Sequence, residues 1–401
     1  MPDLEKYEKI VGKEVMNTLK EQSQRFSKSH ILCVNSTSEG GGVAELLNSM
    51  VILFNKLGIP FGWRILHGDP DFFTITKKFH NALQGQPMNL SSMKKKIYLE
   101  VNRRFSIFTH IDHDLVIIHD PQPLPLIHFY RKRQPWIFRC HIDISNPYPQ
   151  TWDYLKTFIN KYDHFVISQD LFKKKITIPQ TVIHPAIDPL TIKNRDITEK
   201  TVDKYLDKSG IERNLPIISQ ISRFDKWKDP LGVIRIFEMV RQREPCQLIL
   251  LGSFASDDPE GHMMLKKVEK RAEKSKYNKD IRLILNGPDI LVNSLQRAST
   301  VVIQKSIREG FALTVSEALY KKTPVVASRV GGIPLQVQHG TNGFLHEPGD
   351  LQGFATSILT LLRDEAMRTQ FGKNGNAHIT GNFLITRLML DWLALFKQYL
   401  P

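Results

Sequence analysis

Cysteine is scarce in this chain: among 401 residues there are three, Cys33, Cys140 and Cys246, far apart and set in or beside apolar strand-like runs. That spacing excludes a disulfide framework and a Cys-x-x-Cys zinc site, and the thiols read as buried and free in a reducing compartment. No apolar run approaches the roughly 18 residues that cross a bilayer. The opening Met1-Pro2-Asp3-Leu4-Glu5-Lys6 is charged where a signal peptide carries its apolar core. A cytoplasmic protein with no membrane partner is the expectation. The dinucleotide G-x-G-x-x-G, the P-loop, His-Glu-x-x-His and G-x-S-x-G are all missing, so NAD and ATP lose their usual support. Beyond a repeated strand–helix grammar there is no sequence repeat, which excludes a solenoid.

What is present is ordinary for a globular protein, with 41% hydrophobic and 24% charged residues. The length suits two domains of roughly 200 residues each. The formal net charge is +14, but its basic clusters, Lys94-Lys95-Lys96, Arg131-Lys132-Arg133 and Lys173-Lys174-Lys175, are scattered. Nucleic-acid binding favours one continuous basic face with readout elements, and none is recognisable, so no nucleic-acid partner is expected. A basic surface that attracts small anions remains.

Apolar periodicity alternates strands with helices. The run His30–Val34 reads as a strand. The stripe 43, 46, 47, 50, 51, 54, 57 reads as a helix ending at Gly58. Further strands are expected at Phe61–Leu66, Leu115–Ile118, Trp136–Cys140, Phe165–Ser168 and Val182–His184, with helices at Lys94–Phe108, Leu124–Lys132 and Thr151–Lys161. The pattern breaks at Pro185 and Pro189, where the chain crosses between domains. It restarts with strands at Pro216–Ile221, Gln247–Leu251, Arg282–Leu285, Val301–Ile303 and Val325–Ala327, separated by helices. The stretch Ala366–Leu400 reads as helical. Such alternation implies an α/β fold with parallel sheets and right-handed crossovers. Domains are expected at 1–190, completed by the helix 385–401, and at 191–384.

In open parallel sheets ligands bind outside the carboxyl ends of the strands, and the unusual polar residues here follow strands. After the first strand comes Asn35-Ser36-Thr37-Ser38-Glu39-Gly40-Gly41-Gly42, a glycine-rich turn that lets a phosphate or a sugar approach the backbone. His119-Asp120-Pro121-Gln122-Pro123 and His141-Ile142-Asp143 follow two more strands and offer donors and acceptors for a hydroxyl-rich ligand. After Pro216–Ile221 stand Arg223, whose planar fork suits phosphate, and Lys228, a compact second cation. Together they can neutralise a diphosphate without a metal. In Arg308-Glu309-Gly310-Phe311-Ala312-Leu313-Thr314-Val315-Ser316-Glu317, two glutamates flank a helix start whose N–H groups suit an anion. Glu309 precedes the helix, within reach of sugar hydroxyls, and Glu317 lies one turn inside, towards a ribose. Asp69-Pro70-Asp71 spells a D-x-D metal motif but reads as a turn, and no metal or magnesium site is implied.

Taken together, the Gly-Gly-Gly-Val turn, the Arg223…Lys228 pair and the Glu309–Glu317 spacing resemble the retaining glycosyltransferases of family four. That family has the GT-B fold, two doubly wound Rossmann-like domains facing across a cleft. Residues 35–45, Phe79-His80-Asn81-Ala82-Leu83-Gln84-Gly85, 119–123 and Arg139-Cys140-His141-Ile142-Asp143 look like the trehalose-forming glycosyltransferring synthases and the retaining trehalose phosphorylases. The resemblance implies glucose transfer from a nucleoside-diphosphate glucose (UDP-, ADP- or GDP-linked) to free glucose, giving α,α-trehalose and needing no further cofactor. It makes the N-terminal domain the acceptor side and the C-terminal domain the holder of the nucleotide sugar. A phosphate-dependent phosphorylase and a non-catalytic nucleotide-sugar-binding protein are the alternatives. A homodimer stays open as an alternative to a monomer.

The same resemblance distributes the roles. Arg223, Lys228, Glu309 and His141 would be catalytic, with Arg223 and Lys228 on the diphosphate and His141 near the 6-hydroxyl of the sugar. Gly41, Gly42, Gly310, Phe311, Ala312, Leu313, Thr314 and Glu317 would complete the donor site, and Asn35, Asp120, Gln122 and Asp143 the acceptor site. The family usually has glycine where this chain has Ala312, whose methyl would narrow the donor pocket and leaves the donor sugar open.

Overall fold

Strands among the described residues of the computed structural model (4–38, 41–253 and 261–401) form two wholly parallel sheets of six. Glu39 and Gly40 of the glycine-rich turn lie outside the described residues. The chain divides into two compact units, residues 4–38, 41–186 and 385–401 forming the first, and 187–253 and 261–384 the second.

In the first unit the strands are β1 (Ile31–Asn35), β2 (Phe61–Ile65), β3 (Leu115–His119), β4 (Trp136–Arg139), β5 (His164–Ile167) and β6 (Gln180–Val182), in the order β2-β1-β3-β4-β5-β6. The helices are α1 (Leu4–Val11), α2 (Lys13–Gln24), α3 (Gly42–Lys56), α4 (Pro70–Leu83), α5 (Ser92–Phe108) and α6 (Pro149–Ile159). β1, β3, β4 and β5 are buried along their whole length, which is why they read as continuous apolar runs. On one side a core gathers Leu32, Val34, Phe72, Phe79, Tyr98, Trp136, Phe138 and Phe165. Each such buried side chain contributes about 1.5–3 kcal/mol.

The second unit contains β7 (Ile217–Arg223), β8 (Gln247–Ser253), β9 (Ile281–Leu285), β10 (Val301–Gln304), β11 (Val325–Ser328) and β12 (Gly343–His346), ordered β12-β11-β10-β7-β8-β9. Its helices are α7 (Glu199–Lys208), α8 (Pro230–Arg241), α9 (Gly261–Glu273), α10 (Asp289–Ala298), α11 (Leu313–Tyr320), α12 (Ile333–Gln336), α13 (Leu351–Arg363) and α14 (Glu365–Asn382). One core lies around Phe237, Leu248, Ile303 and Phe354, and a second around Leu206, Ile249 and Leu295. The chain then joins the first unit again as α15 (Ile385–Phe396), where Phe396 meets Phe26 and Phe54 at ring separations of 6.0 and 5.9 Å.

Several expectations need correction. The helix expected over Leu124–Lys132 is a short 3-10 turn, Leu124–His128, whose N–H groups bond three residues back, Leu126 to the Pro123 carbonyl at 3.0 Å and Phe129 to the Leu126 carbonyl at 2.9 Å; such geometry does not extend far. The stretch Ala366–Leu400, expected to be helical, is two helices, α14 and α15, with a short break between them. The Phe383 carbonyl accepts the Ile187 N–H at 2.9 Å and Leu384 bridges Ile187, and this pairing takes the backbone out of the helix between α14 and α15. The strand β12 and the helices α1, α2, α12 and α13 did not emerge from the periodicity. Nor did α4, although its start is written in Asp69-Pro70. The Asp69 side chain accepts from the Phe72 N–H at 2.8 Å and Pro70 occupies the first helical turn, so the D-x-D triplet begins a helix.

Asp69→Ala should therefore cost about 1 kcal/mol of stability through loss of that cap, and Asp69→Asn much less. Urea unfolding of the two variants in the presence and absence of a chelator checks this. A chelator-dependent difference would count against a capping role.

Candidate active site

Both sheets are doubly wound, and each has one pair of neighbouring strands from which the chain departs in opposite directions. In the first sheet the pair is β1/β3 and in the second β7/β10. Such switch points open a crevice at the carboxyl ends of the strands. In the second unit Lys228 follows β7 and Glu309 follows β10. In the first, Asn35 ends β1 and His119 ends β3. Lys228, Glu309, Asn35 and His119 therefore sit at the two positions where the topology makes room, while His141 and Asp143 follow β4.

In the second unit the structure brings Lys228 and Glu309 together as an ion pair, Nζ to Oε2. Glu309 is 8% exposed. Its Oε2 also accepts from the Ser306 hydroxyl at 3.1 Å and from Gln304 Nε2 at 3.5 Å, and Gln304 in turn holds Ser306 and Thr314 at 2.9 and 3.2 Å. The Lys228 carbonyl accepts from Gln220 Nε2 at 2.9 Å. Leaving a carboxylate so nearly buried without such partners would cost several kcal/mol, about the penalty of an unpaired interior charge. Arg223 is the last residue of β7 and half-buried. Beside this pair, the almost completely buried Lys305 binds Asp229, whose side chain caps α8 at Gly232.

The helix α11 starts without a side-chain cap. Its leading segment, Gly310 to Thr314, is held from behind: Gln336 Nε2 donates to the Phe311 carbonyl, and Ser316 Oγ donates to Gln336 Oε1 at 2.6 Å. Gly331 has φ 52°, and a Cβ there would collide with the Glu309 carbonyl oxygen, so only glycine fits. Glu317 is turned inward, 2% exposed, and its Oε2 accepts from Gln296 Nε2 at 3.0 Å. Ala312 stands at φ 71°, ψ 74°, in the left-handed region that glycine adopts without cost.

In the first unit, His119 Nδ1 lies 3.0 Å from His141 Nε2, and His119 Nε2 lies 3.3 Å from Cys33 Sγ. The imidazoles stack with centroids 5.3 Å apart. Asp120, at φ 63°, accepts the His141 N–H on Oδ1 at 2.8 Å. Arg139 is 1% exposed; its Nη2 reaches Ser168 Oγ at 3.1 Å, and its Nη1 has no partner among the described residues. Burial lowers Arg139 to about 10. Burial, with the Arg139 charge second, pushes His119 down to about 3 and His141 well below the ordinary imidazole range.

The residues expected on the acceptor side have local partners. Asn35 bonds Trp63 Nε1 at 2.8 Å and the Thr37 carbonyl at 2.6 Å. The nearly buried Asp143 accepts from the Ser145 N–H and hydroxyl at 2.9 and 2.6 Å. Gln122 offers its carbonyl to Asn102 at 3.1 Å. Gly41 precedes α3, which begins at Gly42, and a Cβ on Gly41 would meet nothing within 4 Å. The sequence reading did not pick out Gln304, Ser306, Gly331, Gln336 or Lys305. Only the Gly331-Gly332 pair after β11 carried a signal, since paired glycines mark close backbone approach.

Residues 33–174 match the family model of the trehalose synthase N-terminal domain, and residues 201–378 match glycosyl transferases group 1. A solved structure described as trehalose-6-phosphate from E. coli bound with UDP-2-fluoro glucose superposes with a TM-score of 0.74 at 16% identity, over 93% of this chain and 100% of that one. The protein is thus a GT-B glycosyltransferase. Within that class, trehalose synthase from Thermococcus litoralis is 40% identical over 99% of this chain and 97% of its own length. Trehalose phosphorylase from Grifola frondosa is 29% identical over 99% of this chain and 61% of its own length. The chain belongs to the trehalose synthase family and is a hexosyltransferase acting on trehalose.

Two outcomes follow. Ala312→Gly should stabilise the protein by about 0.5–1 kcal/mol, because relief of about 1–2 kcal/mol of left-handed strain exceeds the added entropy of the unfolded chain. Chemical unfolding measures it, and a destabilised variant would contradict the strain. His119 has its ordinary value of 6.5 when unfolded and about 3 when folded. The unfolded chain therefore binds the extra proton between these values. Stability is full above about 6.5 and falls with pH at about 1.4 kcal/mol per unit from this group, with His141 adding in the same direction. Urea midpoints from pH 7 to 4 should drop accordingly, and the drop should shrink in His119→Gln.

Proposed function

We propose that this protein is a retaining glycosyltransferase that moves glucose from a nucleoside-diphosphate glucose to free glucose and forms α,α-trehalose. The observation that supports this most is the Lys228–Glu309 pair at the switch point of the second sheet, beside an uncapped helix start and one strand end from Arg223. Glu309 holds hydroxyls of the transferred sugar through its other oxygen, Oε1, since Lys228, Ser306 and Gln304 converge on Oε2. Lys228 and Arg223 receive the diphosphate, with the N–H groups at the start of α11. The negative charge on the leaving group grows as the glycosidic bond breaks, so these cations act most strongly in the transition state. The acceptor hydroxyl attacks on the face the diphosphate leaves, which preserves the anomeric configuration without an enzymic nucleophile. Glu317 serves the ribose, and Ala312, Leu313 and Thr314 border the donor sugar.

On the acceptor side, Asn35, Asp120, Gln122 and Asp143 form the polar floor, and His141 stands near the 6-hydroxyl of the transferred sugar. Gly41 belongs to the donor side in this reading; its backbone is extended and a Cβ there would meet nothing within 4 Å, which leaves room for a ligand. A homodimer and a cytoplasmic location remain part of this proposal.

Purified protein given UDP-, ADP- and GDP-glucose with glucose should release nucleoside diphosphate and form a non-reducing disaccharide. No product from any donor, with folded protein, rejects the reading. The likeness to a trehalose phosphorylase supports a second one. Phosphate-dependent breakdown of trehalose, indifferent to nucleotide, would put it first.

Lys228→Ala should lower kcat about 100-fold by removing a transition-state cation. It also strands the Glu309 carboxylate, so the folded fraction should fall as well. Combining Lys228→Met with Glu309→Gln should restore stability but not transfer, which separates the two effects. Wild-type kcat in both Lys228→Ala and Glu309→Gln would place the chemistry elsewhere.

A further inference from the structure

Behind His141 lies a hydrogen-bonded chain whose direction follows from the chemistry of its members. Cys33 stands opposite Ile117 in the β1/β3 register, two residues before His119, so the thiol and the His119 imidazole share one face of the sheet. Cys33 and His119 are both buried, while His141 at the outer end is partly exposed. Sulfur is a weak acceptor and a neutral imidazole nitrogen a good one. The Cys33 S–H therefore donates to His119 Nε2, across the 3.3 Å contact. A neutral imidazole has a single N–H, so His119 carries its proton on Nδ1 and donates it to His141 Nε2, across 3.0 Å. With its Nε2 accepting, His141 must be protonated on Nδ1. The reverse direction would set an imidazole N–H against sulfur, a weak acceptor, and leave the S–H without this partner. The outward direction leaves the one open donor at the exposed end.

We propose that Cys33 and His119 are positioning residues that fix His141 as its Nδ1–H tautomer, so that this imidazole offers a sugar hydroxyl a hydrogen-bond donor and no acceptor. The tautomer stands on the geometry alone, and the sugar contact rests on the transferase reading above. The surroundings suit it. Arg139 lies opposite His119 in the β3/β4 register and disfavours any imidazolium, Asp120 is occupied by the His141 N–H, and burial keeps the Cys33 thiol protonated. A donor-only imidazole would contact an oxygen lone pair and would reject a ligand that offers only a donor at that point.

The test uses the full chain labelled with [15N]histidine. Long-range proton–nitrogen correlation spectra should show His119 and His141 each protonated on Nδ1, with assignments from His119→Gln and His141→Gln. A His141 signal from the Nε2–H form would overturn the proposal, whether or not any donor reacts. Cys33→Val should release the tautomer and lower kcat/KM about 10-fold, the equivalent of one hydrogen bond. Cys33→Ser keeps a donor and should recover the Nδ1–H signal and most of the lost rate. Cys33→Ala, checked for folding by circular dichroism, stands in if the valine is not tolerated. A hydroxyl-free Cys33 variant that is folded, with tautomer and rate both as in the wild type, would also overturn it.

Discussion

A parallel sheet whose crossovers turn opposite ways on either side of one strand pair cannot cover the carboxyl ends of that pair. The functional layout follows from this constraint. In the second unit the uncovered pair is β7/β10, and the two residues just past those strands form the Lys228–Glu309 ion pair. In the first it is β1/β3, and Cys33 and His119 face each other across it. Neither pair is adjacent in sequence. Strand order alone makes them neighbours.

What surrounds each pair is concerned mostly with holding it still. Glu309 is reached by Ser306 and Gln304, and the segment after it is fixed by Gln336 from one side and by the backbone of Gly331 from the other. A carboxylate in such a setting has little freedom to reorganise, which is the condition for electrostatic stabilisation at no extra cost during reaction. The neutral histidine pair illustrates the complementary case. There, charge is kept out by burial and by Arg139, and the histidines contribute direction in place of charge.

Much of this was legible in the sequence. The alternation of strands and helices, the glycine-rich turn after β1, Arg223 and Lys228 after β7 and the spaced glutamates could be read because each depends on local pattern. Other features could not. Gln304, Ser306 and Gln336 have no local signature, since their roles come from contacts across the fold. Ala312 was visible as a departure, but its left-handed backbone was not, because alanine gives no hint of positive φ. The helix α4 was missed although Asp69-Pro70 states its start, because a metal-motif reading and a turn reading competed for the same three residues. The C-terminal helix was expected from 385 and α15 begins there; what no local pattern could show is the pairing of Ile187 with Phe383 and Leu384 at the break that precedes it.

That break has a consequence for how the protein is made. The described part of the second unit lies between the two pieces of the first, which needs α15 from Ile385 although its preceding element, β6, ends at Val182. During synthesis the residues of α15 are made only after the whole of the second unit, and the side chains of Phe26 and Phe54 wait for Phe396 until then. The order of completion on the ribosome is therefore the reverse of the order of the units along the chain.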